Sequence, residues 1–158
     1  MKTLTQWIAP LTLAGMTGMT GTAMADDGSL TQDDLLRLLD GAEAYGFSHY
    51  EEFDLDDGHR LELEGWRDDG WRLEVDMRTE DGNLLHEAQR QSQIPDWSLT
   101  GDQLRQALAN AHRAGLQRFS TLDVDDGGTI EIEGRDADDR EIELRLDHNM
   151  KVTGVEND

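Results

Sequence analysis

Two hydrophobic periods alternate along this chain. Leu35, Leu38, Leu39 and Ala42 recur at helical spacing, and Leu104, Ala107, Leu108 and Ala111 do so again. Each set makes one apolar stripe on a helix. Thr31 and Thr100 stand just ahead of these runs as N-cap residues. Gln103 completes a capping box with Thr100, and Asp34 offers a weaker version to Thr31. Gly46 and Gly115 sit where a left-handed helix stop is wanted. After each helix the period drops to two. Leu61, Leu63, Trp71, Leu73, Val75 and Met77 share one parity, while Glu62, Glu64, Trp66, Arg72, Glu74 and Asp76 share the other. Ile130, Ile132, Ile142, Leu144 and Leu146 repeat the inner set. This is the pattern of an antiparallel sheet with one face buried and one in water. Phe53 and Leu55, like Leu122 and Val124, predict an earlier strand; segments 83–89 and 151–156 predict a last one. Asp57-Gly58, Asp69-Gly70 and Asp81-Gly82 predict turns.

The same order of elements occurs twice. With Ser29 set against Ser98 the chain matches itself without a gap as far as Met77 and Leu146. "SLTQDDLLRLLDGAEAYGF" answers "SLTGDQLRQALANAHRAGL", and "DLDDGHRLELEG" answers "DVDDGGTIEIEG". The predicted fold class is therefore α+β: two tandem repeats, each one helix packed on a four-stranded antiparallel sheet. Residues 26–90 make the first repeat, 91–97 a linker broken by Pro95, and 98–158 the second. Residues 1–25 read as a signal peptide: Lys2, a mostly apolar run diluted by Gly and Thr, then Ala23-Met24-Ala25 as a cleavage site. A periplasmic or secreted location follows, with no membrane insertion after cleavage.

"ALANAHRAGL", then "TIEIEG", then "REIELRLDHNMKV" resembles the PepSY domain, and the tandem arrangement is similar to that of beta-lactamase inhibitory protein. The first copy keeps an aromatic before its third strand, Trp71, and the Asp81-Gly82 turn. The second has Arg140 and Asn149-Met150 at these places. The resemblance implies an extracytoplasmic, non-catalytic binding module that regulates or inhibits a peptidase or another envelope enzyme.

Charge narrows the partners. The 158 residues carry 35 Asp and Glu against 14 Lys and Arg, a net charge of -21. Such a chain repels nucleic acid and anionic membrane surfaces, and favours cations or basic partners. A solvated surface suited to a salty medium would have the same composition. Without cysteine, disulfides, thiol catalysis and Cys-based metal sites are excluded. The five histidines show no paired metal spacing. "DVDDGGTIEIE" and "DLDDGHRLELE" place Leu122 and Phe53 where a calcium loop needs its first ligand, so they read as hairpin turns. No phosphate loop or nucleophile elbow is present, and no carboxylate pair is singled out for acid–base chemistry. No enzyme activity and no cofactor are expected.

Candidate binding residues come from strand parity. A three-residue loop, 68–70, with Gly70 left-handed, sets Trp66 opposite Arg72 on the outer face, and Trp71 on the inner face as core. Trp66 then either covers Arg and Glu stems or anchors a partner. As a partner surface it would work with Arg72, Glu64 and Glu74. The second copy places Arg135 opposite Glu141 at the same position. The register also sets Glu62 against Asp76, Glu64 against Glu74, and Glu133 against Glu143. Like charges directly opposite are destabilising, and they invite either hydration or a counter-charge. The alternative function is thus a divalent-cation-binding envelope protein, holding calcium or magnesium weakly on this acidic sheet face.

Overall fold

The computed structural model describes residues 28–158; the predicted signal peptide lies outside them. Two α-helices occur among the described residues, α1 (Gln32–Tyr45) and α2 (Gly101–Arg113), each led by a two-residue strand, β1 (Leu30–Thr31) and β6 (Leu99–Thr100). The first half continues as β2 (His49–Asp56), β3 (Arg60–Trp66), β4 (Trp71–Arg78) and β5 (Leu84–Gln91). The second continues as β7 (Arg118–Val124), β8 (Ile130–Arg135), β9 (Glu141–Leu146) and β10 (Val152–Asn157).

The helix ends form as their residues dictate. The Thr31 hydroxyl accepts the Asp34 N–H, and Thr100 with Gln103 forms a full capping box. Gly46 and Gly115 take φ of 129° and 125°, closing the two helices in a backbone region that side chains disfavour. The four apolar positions expected on each helix are all buried.

The expected pair of separate four-stranded sheets is not what forms. The ten strands of the described residues belong to one sheet, eight of them in the order β10-β9-β8-β7-β2-β3-β4-β5 with β1 and β6 off this path, so the predicted fold class is corrected to a single antiparallel sheet with two helices. The join is β2 against β7, through Glu52↔Asp123, Phe53↔Leu122 and Asp54↔Thr121. Left apart, β2 and β7 would each present a row of unpaired N–H and C=O groups at a sheet edge; joined, they satisfy each other. Alternation within one strand cannot reveal this, because period two fixes faces and not neighbours.

The halves are further interlocked. β1 pairs with β7 (Leu30↔Phe119, Thr31↔Arg118), while β6 pairs with β2 (Leu99↔Tyr50, Thr100↔His49). Each half lends the dipeptide ahead of its helix to the other half. Phe53 and Leu122 are counterparts in the sequence self-match, so the pairing is symmetric about them. One continuous core results, running from Leu35 and Leu39 of α1 through Phe53, Leu63 and Val75 to Leu108, Ile132 and Leu144. Arg105 ties the helices at the surface, donating to Asp40 at 2.7 Å and to Glu43 at 2.6 Å and 2.9 Å.

Candidate functional site: the open acidic face of the sheet

With the apolar side chains of β2, β3, β4, β7, β8 and β9 turned to the core, their other parity carries the polar and charged residues. The register lines these residues up across strands. One row runs Glu74, Glu64, Glu52, Asp123 and Glu131, ending at Arg145. A second runs Asp76, Glu62, Asp54, Thr121, Glu133, Glu143 and Glu156. Successive members stand about 4.8 Å apart, the ordinary spacing of strands. Each half also carries a register shift, between Tyr50 and Glu52 in β2 and between Phe119 and Thr121 in β7. The shifts put Glu51 and Ser120 into bulges, which re-aim a side chain locally.

Three arginines neutralise part of this face. Arg60 reaches Asp56 and, at 3.4 Å, Asp76. Arg72 donates to Glu51 at 3.1 Å and 2.7 Å and also to Glu64. Arg145 bonds Glu131 at 3.0 Å, Glu143 at 2.7 Å and Glu156 at 3.4 Å. Glu52 and Glu62 have no ion pair among the described residues and titrate above the usual carboxylate range. Burial is the main cause in both. Glu64, Asp123, Asp54 and Glu62 add repulsion at Glu52, and Asp76, Glu74 and Glu64 at Glu62. Asp123 is raised too, by burial first and then by Glu51, Glu131 and Asp125.

The structure places the predicted residues as follows. Glu62↔Asp76, Glu64↔Glu74 and Glu133↔Glu143 are directly opposite, and so are Trp66↔Arg72 and Arg135↔Glu141. Gly70 has φ 80°. Glu62, Glu64 and Glu74 each bring a carboxylate oxygen to within 4.8 Å of the others. Asp76 is drawn to Arg60 instead, and Glu133 and Glu143 lie in the other half, so the six predicted metal residues do not form one cluster.

Trp66 corrects the parity argument. It lies on the outer side as expected, with the Arg72 guanidinium 5.6 Å from its ring, yet it is only 2 % exposed. Its cover is Trp97 of the linker, which meets it edge-on at 5.7 Å and 81°. A turn in which the Ser98 hydroxyl donates to the Pro95 carbonyl at 2.6 Å brings the linker in. Trp66 is thus no exposed anchor for a partner. Trp71 departs in the opposite sense: it is half-buried as the first residue of β4, packed against the core and not enclosed by it. Parity assigns a face but cannot say which loop returns across it. Arg72 and Glu64 bind each other, which leaves Glu74 as the predicted partner residue with no ion pair among the described residues.

No family model matches the chain, and no curated protein does. Among solved structures, the crystal structure of a "putative lipoprotein" from Clostridium difficile 630 is similar at 16% sequence identity. That match covers 86% of this chain and 98% of that one, with a TM-score of 0.42. It carries no argument about function. Among the described residues no helix is long and apolar enough to cross a membrane.

Sequence reasoning missed Glu52, Asp54, Asp123 and Glu131 as members of the face. They stand on or beside the strands that join the halves, and only the β2–β7 pairing makes one surface of them. The usable signal was the repeated acidic alternation in "YEEFDLD" and "STLDVD", read as a polar parity and not as a turn approach.

Proposed function

We propose that this protein is an exported, non-catalytic binding module whose open acidic sheet face docks a basic partner protein. The carboxylate rows carry the reading. Like charges held opposite one another cost stability, and a partner's arginines and lysines would relieve that cost on binding. Charge complementarity of this kind raises the association rate and fixes orientation. The PepSY resemblance supplies a peptidase or envelope enzyme as the partner class to test first.

The test compares two triple variants of equal net charge for binding to a hexa-arginine peptide and to each candidate enzyme. One removes charge from the face (Glu52→Gln, Glu74→Gln, Asp123→Asn), the other from exposed positions elsewhere (Asp33→Asn, Asp102→Asn, Asp126→Asn). Only the first should weaken binding, by tenfold or more, and the binding should fall with added salt. Equal weakening by both would mean net charge alone is at work, and the docking face would be withdrawn.

The proximity of the Glu62, Glu64 and Glu74 oxygens favours a second reading, a weakly held divalent cation. Extracellular calcium sites of this grade bind at about 0.1–1 mM. Calcium should then raise the melting temperature above that in sodium chloride of matched ionic strength, and Glu62→Gln should abolish the difference. No difference in the unaltered protein removes this reading.

A further inference from the structure

The two halves differ most where Trp66 and Arg72 face each other in one and Arg135 and Glu141 in the other. In the first half the space over β3 is filled from within. The Arg72 side chain crosses it, lies over Trp66, and holds its guanidinium between Glu51 and Glu64. In the second half the counterparts of Glu51, Glu64, Trp66 and Arg72 are Ser120, Glu133, Arg135 and Glu141. The crossing guanidinium is replaced by a carboxylate. What remains is a cavity of about 310 Å³ on the acidic face, and all four of these counterparts line it.

The groups around the cavity are only partly satisfied. Arg135 Nη2 stands 3.8 Å from Glu141, and its Nη1 donates to the Asp139 carbonyl at 3.1 Å. Glu143 is held by Arg145. The Glu133 carboxylate, the counterpart of the one that binds Arg72, makes no hydrogen bond or ion pair with any described residue, although its backbone is part of the ladder between β7 and β9. The first half thus displays the chemistry that fits here: a planar guanidinium set between carboxylates of adjacent strands. Arginine suits this better than lysine, because its forked donors reach two carboxylates at once.

We propose that this cavity receives an arginine side chain of the partner, in the position that Arg72 fills from within in the first half. The proposal rests on the docking face described above and adds to it a subsite and a residue type. No covalent step is involved. The partner's guanidinium would pair with Glu133 and Glu141, exchanging the weak Arg135–Glu141 contact for two charge-assisted hydrogen bonds.

The probes are acetyl-arginine-amide and acetyl-lysine-amide, titrated into the full chain and followed by amide NMR shifts. Arginine should saturate shifts at Ser120, Glu133, Gly134 and Arg135, and bind at least threefold more tightly than lysine. Glu133→Gln should weaken it tenfold or more. Glu141→Arg, which places a guanidinium where the first half has one, should abolish it. Both substitutions are at exposed side chains, so the fold should survive. Unchanged arginine affinity in both variants overturns the proposal, and so do shifts spread evenly over the face. Hexa-arginine separates this failure from failure of the docking face. If it binds equally to the cavity variants but loses affinity with Glu52→Gln and Asp123→Asn, the face stands and the cavity falls. If arginine fills the cavity while hexa-arginine ignores both rows, the cavity stands and the face falls.

Discussion

Removing the Trp66 indole should destabilise the protein more than removing that of Trp71, although Trp71 has the inner parity and Trp66 the outer. A tryptophan buries about 150–250 Å² of surface. At about 25 cal/mol per Å², complete burial corresponds to about 4–6 kcal/mol, an upper value because unfolded chains already bury some surface. Trp66 is 2 % exposed, so nearly all of that applies. Two corrections act in opposite directions. The indole Nε1 is buried with no acceptor among the described residues, and deleting it relieves about 1–3 kcal/mol. The edge-on contact with Trp97 adds about 0.5–1.5 kcal/mol that deletion forfeits. Trp66→Ala should therefore cost about 3 kcal/mol, within the range of large aromatic truncations. Trp71, half-buried, should cost about half as much. Urea unfolding of the full chain, followed by far-ultraviolet circular dichroism so that the lost fluorophore does not matter, measures both by linear extrapolation. Trp97→Ala and the double variant complete a cycle, whose coupling energy should be about 1 kcal/mol and favourable. A cost under about 1 kcal/mol for Trp66→Ala, with Trp71→Ala costing more, would mean that the linker does not cover Trp66 in solution.

Two further outcomes test the sheet. Glu52, Glu62 and Asp123 have folded pKa values raised above their unfolded ones, so their stabilising contribution is complete below about pH 4 and is lost as pH rises through the raised values. Asp81, Asp125, Asp136 and Asp147 are lowered, chiefly by accepting backbone N–H groups in turns; their contribution is present above about pH 4 and lost as pH falls through the lowered values. The melting temperature at low salt should accordingly rise from pH 7 toward pH 5 and decline in stronger acid, and Glu62→Gln should flatten the rise; a melting temperature that only falls below pH 7 contradicts the crowding. Gly134→Ala should cost about 3 kcal/mol or more in urea unfolding, because a Cβ there would collide with the Arg118 backbone carbonyl and press on Leu116, and a loss under about 1 kcal/mol would mean that β7 and β8 do not approach so closely.

The helices and strand faces could be read from the chain because their causes are local. Thr31, Thr100 and Gln103 meet backbone groups three residues away, and the leucine stripes need only the helical period. Facing pairs within a hairpin were legible too, since the loop before Trp71 sets its own register. The sheet could not be read whole, because the β2–β7 join is settled by which edges are left open once each half has folded. The fate of Trp66 was hidden for a related reason. Its cover, Trp97, lies well beyond the hairpin, one residue ahead of the self-match, and the position level with it in the first copy is Gly28, which offers no ring. The candidate site inherits both difficulties: its middle depends on the join, and one end on the linker.

The join also explains why the acidic face is larger than either half suggests. Each half alone would expose a few facing carboxylates beside its own arginines, Arg60 and Arg72 in the first and Arg145 in the second. Pairing β2 with β7 sets Glu52 against Asp123 between Glu64 and Glu131, with no arginine between them. Burial first, and then the neighbouring carboxylates, make Glu52 and Asp123 at the join titrate high, while Arg72 and Arg145 pair with carboxylates to either side. These two arginines do not stand at counterpart positions: Arg72 answers to Glu141, and Arg145 to Asp76. The halves thus share a backbone arrangement but place their own cations differently, so each exposes unpaired carboxylates where the other is neutralised. A face of this kind has a direction along the sheet, and a basic partner would meet it in one orientation and not in its reverse.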